Sequence, residues 1–525
     1  FGHAEQRHPA VPPSGSVVVV LARLATATLV GLTAYPVGVE VDIGRGLPAV
    51  TVVGLGDAAV LEARDRLRAA FGNAGFEWPD RRVTISLPPA DLPKQGSGFD
   101  LPIGIGLLAA TGVVPQAAVQ DLWAVGELGL GGDVRGVRGV LATAIAARDG
   151  GARLLVVPAA NLSEAALVPG LRVGGASSLA QVDAFLRGQG GLDPPGPARP
   201  APSTPVEDLS DVRGQPLARR ALEIAAAGGH NLLLIGPPGA GKTMLARRLR
   251  GLLPDLDRDE ALEVTQVLSA AGLVRADTPL ATARPFRAPH HAISMAGLIG
   301  GGSRVPRPGE VSLAHRGVLF LDELTEFPRP VCEALRQPLE DGEVTVVRSA
   351  ASVRFPARFS LVAAANPCPC GHLGDLVMVC RCGSEDLRRY ARRLSGPILD
   401  RIDLCVQVDR VTADQLEDTA GGEPSAAVSA RVRAARAVQR ARGGMENARL
   451  PVACLSQLCA PTPEARRLLA AAVDRLGLTA RGFHRAMRVA RTIADLAGAD
   501  RVVDHHVREA LSLRHAGATD PDGAP

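Results

Sequence analysis

The chain has 525 residues, 58 Lys plus Arg against 54 Asp plus Glu for a net charge of +4, and a hydrophobic content of 46% with only 3% aromatics. That length fits roughly three or four domains with cores of Leu, Val, Ile and Ala. The near-balanced charge excludes a global electropositive field, the eight cysteines, four of them clustered, do not read as a secreted disulfide framework, and the apolar run 17–21 is too short for a membrane span. A reducing cytoplasmic setting with no membrane partner is the expectation.

Residues 1–19 contain Pro and His without periodicity and are expected to lie outside native structure, with translation beginning near Val18 to Val20. Residues 20–187 read as an α/β domain. Short β-like runs at 37–43, 49–53, 82–87 and 154–157 alternate with helical stretches at 58–74 and 101–111, which predicts a mixed sheet covered by helices. Residues 188–205, GQGGLDPPGPARPAPSTP, have the Pro and Gly density of a linker.

The next domain, 206–408, is built around NLLLIGPPGAGKTMLA at 231–246. Residues 231–235 read as a buried strand, Gly236, Pro237, Pro238, Gly239, Ala240 and Gly241 as a turn, and Lys242 onward as a helix whose first turn includes Met244. In that context the GxxxxGK[ST] spacing makes a phosphate-binding loop. Backbone N–H groups wrap a polyphosphate, Lys242 reaches its β and γ oxygens, and Thr243 offers its hydroxyl to Mg2+, so ATP and Mg2+ are the expected cofactors. Lysine occurs only at Lys94 and Lys242, arginine being the cation everywhere else. A compact ammonium fits beside a phosphate chain where a planar guanidinium does not.

A long insertion, 255–309, follows. Its part 281–309 carries Arg284, Arg287, Arg304, Arg307, His290 and His291 without an acidic residue, and reads equally as a grip on a phosphate backbone or as a Gly-rich positioning loop. At 316–324, RGVLFLDEL is an apolar strand ending in two carboxylates: Asp322 is placed for the Mg2+ shell and Glu323 for the attacking water. A helix is expected at 330–340. A β-hairpin with its tip near 349–352 should follow, flanked by Arg348, Arg354 and Arg358, and then a strand, 359–365, that ends at Asn366, a polar amide able to orient the lytic water. Directly after it, Cys368, Cys370, Cys380 and Cys382 form two CxC pairs. Four thiolates can surround one tetrahedral Zn2+, with His372 as a spare ligand; free or redox-sensitive thiols are the alternative.

Arg401, between Asp400 and Asp403, reads either as a local salt bridge or as a finger inserted into a neighbouring subunit's site. After a connector at 409–425, the helix 426–442 carries Arg433, Arg436 and Arg440 on what reads as a solvated face. Three amphipathic helices follow by 515. Arg481 begins the central one, with Arg485 and Arg488 as alternatives for a group reaching back to the nucleotide. Residues 516–525 are expected to be a disordered tail.

Two resemblances add to this. PADLPKQGSGFDLPIGIGLLAATG and GELGLGGDVRGVRGVLATAIAARDGG resemble the segments that carry the nucleophile and the lysine of Lon-type proteases, but the corresponding positions are Ile103 and Leu141. Lys94 and Ser97 are the only substitutes nearby, so peptidase chemistry is disfavoured. The order of RPFRAPHH, GVLFLDEL, NPCPCG, SGPILDRID and ARTIADLAG behind the phosphate loop resembles the magnesium-chelatase-like AAA+ ATPases of the YifB/ComM family. That resemblance implies an N-terminal Lon-protease-like α/β domain without its catalytic dyad, an AAA+ P-loop NTPase core with a parallel sheet, and a C-terminal α-helical lid at 426–515. It implies catalytic roles for Lys242, Glu323, Asn366 (sensor 1), Arg401 (finger) and Arg481 (sensor 2). It also implies insertions lining the pore of a homo-oligomeric ring, a hexamer, and ATP-driven branch migration on branched or single-stranded DNA. A magnesium-chelatase-type subunit or another protein-remodelling ATPase is the alternative.

Overall fold

The computed structural model describes residues 21–196, 207–302, 305–349, 351–375, 377–394, 398–417 and 422–515; the expectations for residues 1–19 and 516–525, and for Arg304, fall outside these. The chain divides into two compact units near Ala198. No helix among the described residues is long and apolar enough to cross a membrane.

The first unit is a seven-stranded sheet of β1 (Ala22–Val30), β2 (Thr33–Gly44), β3 (Ala49–Val53), β4 (Arg82–Ser86), β5 (Leu122–Ala124), β6 (Leu154–Pro158) and β7 (Val173–Ala176), in the order β3-β4-β2-β1-β5-β6-β7. It is mixed, as expected: β2 runs antiparallel to β4, while β3 with β4, and β5, β6 and β7 in turn, are parallel. Alternation in β2 sends Val37, Val39, Val41 and Ile43 into the core, whereas all five residues of β6 are buried, as in a parallel strand covered on both faces. Three strands escape the sequence reading. β1 is rich in Ala and Thr, β5 is three residues long, and β7 contains two glycines, so none carries a run of large apolar residues that marks a strand.

The linker begins later than expected. Gly175 and Asp193 exchange two backbone hydrogen bonds of 2.9 Å, and Leu192 lies over Gly174, where a Cβ would come within 2.6 Å of its Cδ1. Residues 189–193 therefore extend the first unit beyond 187.

Helix Asp100–Ala110 is buried nearly all round, with Leu101, Ile103, Ile105 and Leu107 inaccessible, and Leu141 is equally buried in helix Val140–Asp149. The two positions where Lon-type chemistry would sit are thus core hydrophobes. The substitutes do not meet each other: Lys94 Nζ donates to the Pro89 carbonyl and Ser97 Oγ to Glu127. Burial pushes the Lys94 ammonium below its ordinary range, with Asp91 opposing.

The second unit holds a five-stranded, all-parallel sheet of β8 (Leu232–Ile235), β9 (Phe286–Arg287), β10 (Val318–Leu321), β11 (Ser360–Ala365) and β12 (Leu404–Gln407), ordered β9-β10-β11-β8-β12. Continuous apolar runs fill it: VLFL in β10 and SLVAAA in β11 are buried throughout, as a sheet with both faces covered requires. The first strand in sequence thus lies between the fourth and fifth. The helix expected at 330–340 is two short ones, Arg329–Ala334 and Arg336–Asp341, and the hairpin forms as expected from Glu343–Val347 and Ser352–Pro356.

Two of the insertion's arginines are already engaged within the protein. Arg284 is buried and donates to Glu260 and to the Pro254 and Arg316 carbonyls, and Arg287 makes a two-pronged bond to Glu310. Likewise, helix Ser425–Gly443 does not present Arg436 to water; that guanidinium is buried against the Ala226 carbonyl and Glu446, and burial lowers its pKa to about 10. An arginine-rich sequence uses its long forked donors to tie up interior carbonyls as readily as to coat surfaces.

Of the C-terminal helices Pro463–Leu476, Ala480–Leu496 and Asp504–His515, the second is tied through Asp495 to the preceding helix Ser425–Gly443. The fully buried Asp495 carboxylate accepts from Arg442 (2.7 and 2.8 Å), Arg491 (3.0 Å) and Asn447 (2.7 Å). Asp495→Ala leaves two guanidiniums without their carboxylate and should cost about 3–5 kcal/mol in urea denaturation; a loss below about 1 kcal/mol would show that the helices do not depend on this charge. A second carboxylate, Asp403, joins the lid to the sheet by accepting from Arg485 Nη1 (2.8 Å) and the Asn231 N–H (3.0 Å), with His230 Nδ1 at 3.6 Å. Burial opposes its ionisation, but the His230 ring and the Arg485 charge prevail and lower its pKa from 3.8 to about 2. A carboxyl depressed in the folded state contributes stability that is complete above its unfolded value and lost as pH falls through its folded one. The deficit of Asp403→Asn relative to the parent, on the order of 2 kcal/mol near pH 6, should therefore shrink toward pH 3 in urea titrations; a deficit that stays constant would remove Asp403 from the acid response.

Candidate nucleotide site

Strand register assembles the site. Ile235 pairs with Ala365 and Leu321 with Ala363, so β8, β10 and β11 release Gly236, Asp322 and Asn366 at one edge of the sheet. This is the carboxyl edge beside the strand that breaks the sequential order, where open α/β sheets bind ligands. Helix Lys242–Leu252 starts there from Gly241, presenting the unpaired N–H groups of its first turn.

The loop's glycines have separate reasons. A Cβ at Gly236 would lie 2.1 Å from the Val408 carbonyl oxygen, so β12 packs directly against the loop's entry. Gly239 and Gly241 hold φ of +78° and +90°, with nothing within 4 Å of where a Cβ would be, which leaves an open cradle of main chain. Lys242 Nζ donates to the Gly236 and Pro237 carbonyls (2.6 and 2.9 Å) and to Asn366 Oδ1 (3.1 Å). Burial pushes this ammonium down, against the opposing charges of Asp322 and Glu323. Thr243 Oγ1 donates to Asp322 Oδ2 at 2.7 Å, so the two groups expected to hold Mg2+ are in contact. An oxygen-only pair of this kind suits a hard cation that keeps several waters. Pro238 and Ala240 complete the loop, and Met244 is partly exposed on the first helical turn.

Glu323 has a left-handed backbone (φ +53°), unusual for a residue with a side chain, and a carboxylate 59% exposed with His291 Nδ1 3.5 Å from Oε2. That conformation turns the chain as it leaves β10, separating Glu323 from Asp322. Asn366 is held from both sides: its amide oxygen meets Lys242, and its carbonyl accepts from Tyr390 OH (3.0 Å), which also meets Thr325 Oγ1 (3.1 Å).

Lys242 with Asn366 and Thr243 with Asp322 thus make two hydrogen-bonded pairs, side by side in one group next to Glu323. Arg401 and Arg481 form another. Arg401 is buried and paired with Glu340, and Arg481, 63% exposed, lies 4.0 Å from the same carboxylate. The alternatives to Arg481 are committed elsewhere, Arg485 to Asp403 and Arg488 to the Leu450 carbonyl. Sequence reasoning missed Glu340 and Tyr390, which no local pattern marks; His291 was visible only as a cation in the insertion.

Beyond Asn366 the four cysteine sulfurs all lie within 4.8 Å of one another, with Cys368 buried. Cys368–Cys370, Cys370–Cys380 and Cys368–Cys380 separations are 3.4, 3.6 and 3.7 Å.

Fold and loop geometry define a magnesium-chelatase-like AAA+ protein, and comparison with known proteins agrees. The family model "Magnesium chelatase, subunit ChlI" matches residues 208–416, its C-terminal counterpart 422–514, and "Subunit ChlI of Mg-chelatase" 39–161. The chain is 48% identical to Rv2897c of Mycobacterium tuberculosis over 95% of its length and 100% of that protein's. It is 46% identical to YifB of Escherichia coli, covering 93% of this chain and 96% of YifB, and 44% identical to competence protein ComM of Haemophilus influenzae, covering 95% and 97%. The chain belongs to the YifB/ComM family.

Gly236→Ala places a methyl group against backbone that cannot withdraw, so it should weaken binding of a fluorescent ATP analogue by about tenfold or more, at least about 1.4 kcal/mol. Unchanged affinity would mean that the entry to the loop tolerates displacement.

Proposed function

We propose that the chain is an ATP-hydrolysing ring motor acting on DNA, in branch-migration or helicase-type work during recombination or natural transformation. The observation that carries the ATPase part is the bonded group Lys242–Asn366 beside Thr243–Asp322 at the carboxyl edge of the sheet. In this reading the loop's N–H groups and Lys242 hold the β- and γ-phosphates of ATP. Thr243 and Asp322 hold Mg2+, which when bound neutralises charge on the phosphate oxygens. Glu323 accepts the proton of the attacking water, and Asn366, fixed by Tyr390, orients that water.

Arg401 and Arg481 are the groups proposed to act on a neighbouring subunit's nucleotide in a homo-oligomeric ring, a hexamer by the family resemblance. Arg481 is exposed enough to do so directly, whereas Arg401 must first leave Glu340. The DNA part draws support from the competence protein among its relatives and from one surface. Arg348 at the hairpin tip donates to the Gly302 carbonyl of the insertion (3.1 Å), joining the two elements, and Arg307 and Arg354 are exposed on them. These, rather than Arg284 and Arg287, are the phosphate-binding candidates. The match to a chelatase subunit favours as second reading an ATPase that remodels a protein partner. The four thiols are the proposed place of a zinc ion.

Steady-state ATP hydrolysis with four-way-junction, single-stranded and duplex DNA, at stated salt, separates the readings. Stimulation with ATP-dependent junction movement is expected. Glu323→Gln should keep ATP binding and lower turnover by a factor on the order of 10² or more. Hydrolysis indifferent to every DNA would transfer the reading to protein remodelling, and a wild-type rate in Glu323→Gln would remove that residue from the mechanism.

A further inference from the structure

We infer that Cys368, Cys370, Cys380 and Cys382 bind one zinc ion, and that this ion clasps the segment after Asn366 onto the nucleotide loop. Four ligands at a Zn–S distance of about 2.3 Å around a tetrahedral ion stand about 3.8 Å apart. The three separations among Cys368, Cys370 and Cys380, 3.4 to 3.7 Å, approach that edge length, and Cys382 Sγ lies within 4.8 Å of each of them. Main-chain N–H groups face the sulfurs, Leu373 N toward Cys368 Sγ (3.3 Å) and Cys370 N toward Cys382 Sγ (3.4 Å), the kind of donor that stabilises ligating thiolate. His372 is engaged instead with Asp375 (3.2 Å), whose carboxylate also accepts from Arg410 (2.8 Å), so the donor set is four sulfurs and not a mixed one. All-thiolate tetrahedra select zinc or iron over the hard cations.

The segment needs a cross-link. Between Asn366 and the helix Ser384–Leu394 it contains no helix or strand among its described residues, and its apolar side chains Val377 and Val379 are 74% and 85% exposed. A loop without a core gains its order from ligation, as small metal sites do. What it orders is the catalytic edge. Asn366 lies two residues before Cys368, and Tyr390, which grips the Asn366 carbonyl, follows Cys382 on the next helix. Gly371, between the second and third ligands, abuts Pro238 so closely that a Cβ there would lie 2.6 Å from Pro238 Cδ. The ion therefore fixes the backing of the phosphate loop and both ends of the segment that positions Asn366. The zinc assignment stands on the thiols alone; its effect on turnover rests on the ATPase reading above.

The test uses the full chain purified without chelator. Elemental analysis should find zinc at one equivalent, lost in Cys382→Ser and retained in Cys454→Ser, whose thiol lies outside the cluster. Removing zinc with a thiol-modifying reagent and chelator, or by Cys382→Ser, should weaken a fluorescent ATP analogue by a factor on the order of ten, while far-ultraviolet circular dichroism keeps the helical signal. A metal-free chain with four freely titrating cluster thiols, or one loaded with iron, overturns the zinc assignment. Zinc present but removable without change in nucleotide affinity overturns the clasp. Loss of affinity on zinc removal in a chain that hydrolyses no ATP sustains the clasp and sinks only the motor reading.

Discussion

The pairing of Ile235 with Ala365, and of Leu321 with Ala363, is what the nucleotide site depends on. The parallel strands end within two residues of one another, and the first residues beyond their ends are then a glycine, an aspartate and an asparagine. A shift of one residue in β11 would turn Asn366 to the other face, because side chains alternate along a strand. The continuous apolar runs that set this register carry no chemistry themselves. They are buried on both faces, so no slipped register can be accommodated without exposing part of them.

Around that edge the chain spends arginine where many proteins would use lysine. Its guanidiniums bind interior carbonyls and carboxylates: Arg284 at the insertion's root, Arg436 under the lid, and Arg442 and Arg491 about Asp495. A planar fork with five donors can satisfy several buried acceptors at once, which a single ammonium cannot. The two lysines stand where a compact charge is required, Lys242 among carbonyls at the phosphate loop and Lys94 under the Pro89 carbonyl. The same density of arginine makes charge stripes in the sequence poor guides to the surface.

The first unit carries none of the residues gathered at the ends of β8, β10 and β11. Its helix Asp100–Ala110 is a core element, and the residues at the Lon-type positions are among its most buried. Its mixed α/β sheet is the one expected from the alternation of β-like and helical runs, and Ile103 and Leu141 offer no nucleophile or base for cutting a peptide.

The amino-acid sequence by itself determined the glycine-rich loop, the two carboxylates after β10, the asparagine after β11, the four thiols and an N-terminal α/β unit followed by a second α/β unit that ends in helices. These are written in contiguous residues, since the loop, the strand ends and the CxC pairs each need neighbours only a few positions away. The tertiary structure alone decided what depends on partners distant in the chain. It joined Arg401 and Arg481 at Glu340, withdrew Arg284 and Arg436 from the surface, paired Arg287 with Glu310, attached residues 189–193 to the first sheet and brought Tyr390 and Pro238 to the segment around the thiols. A side chain's exposure and its opposite charge are properties of packing, and packing between elements many residues apart leaves no local pattern to read.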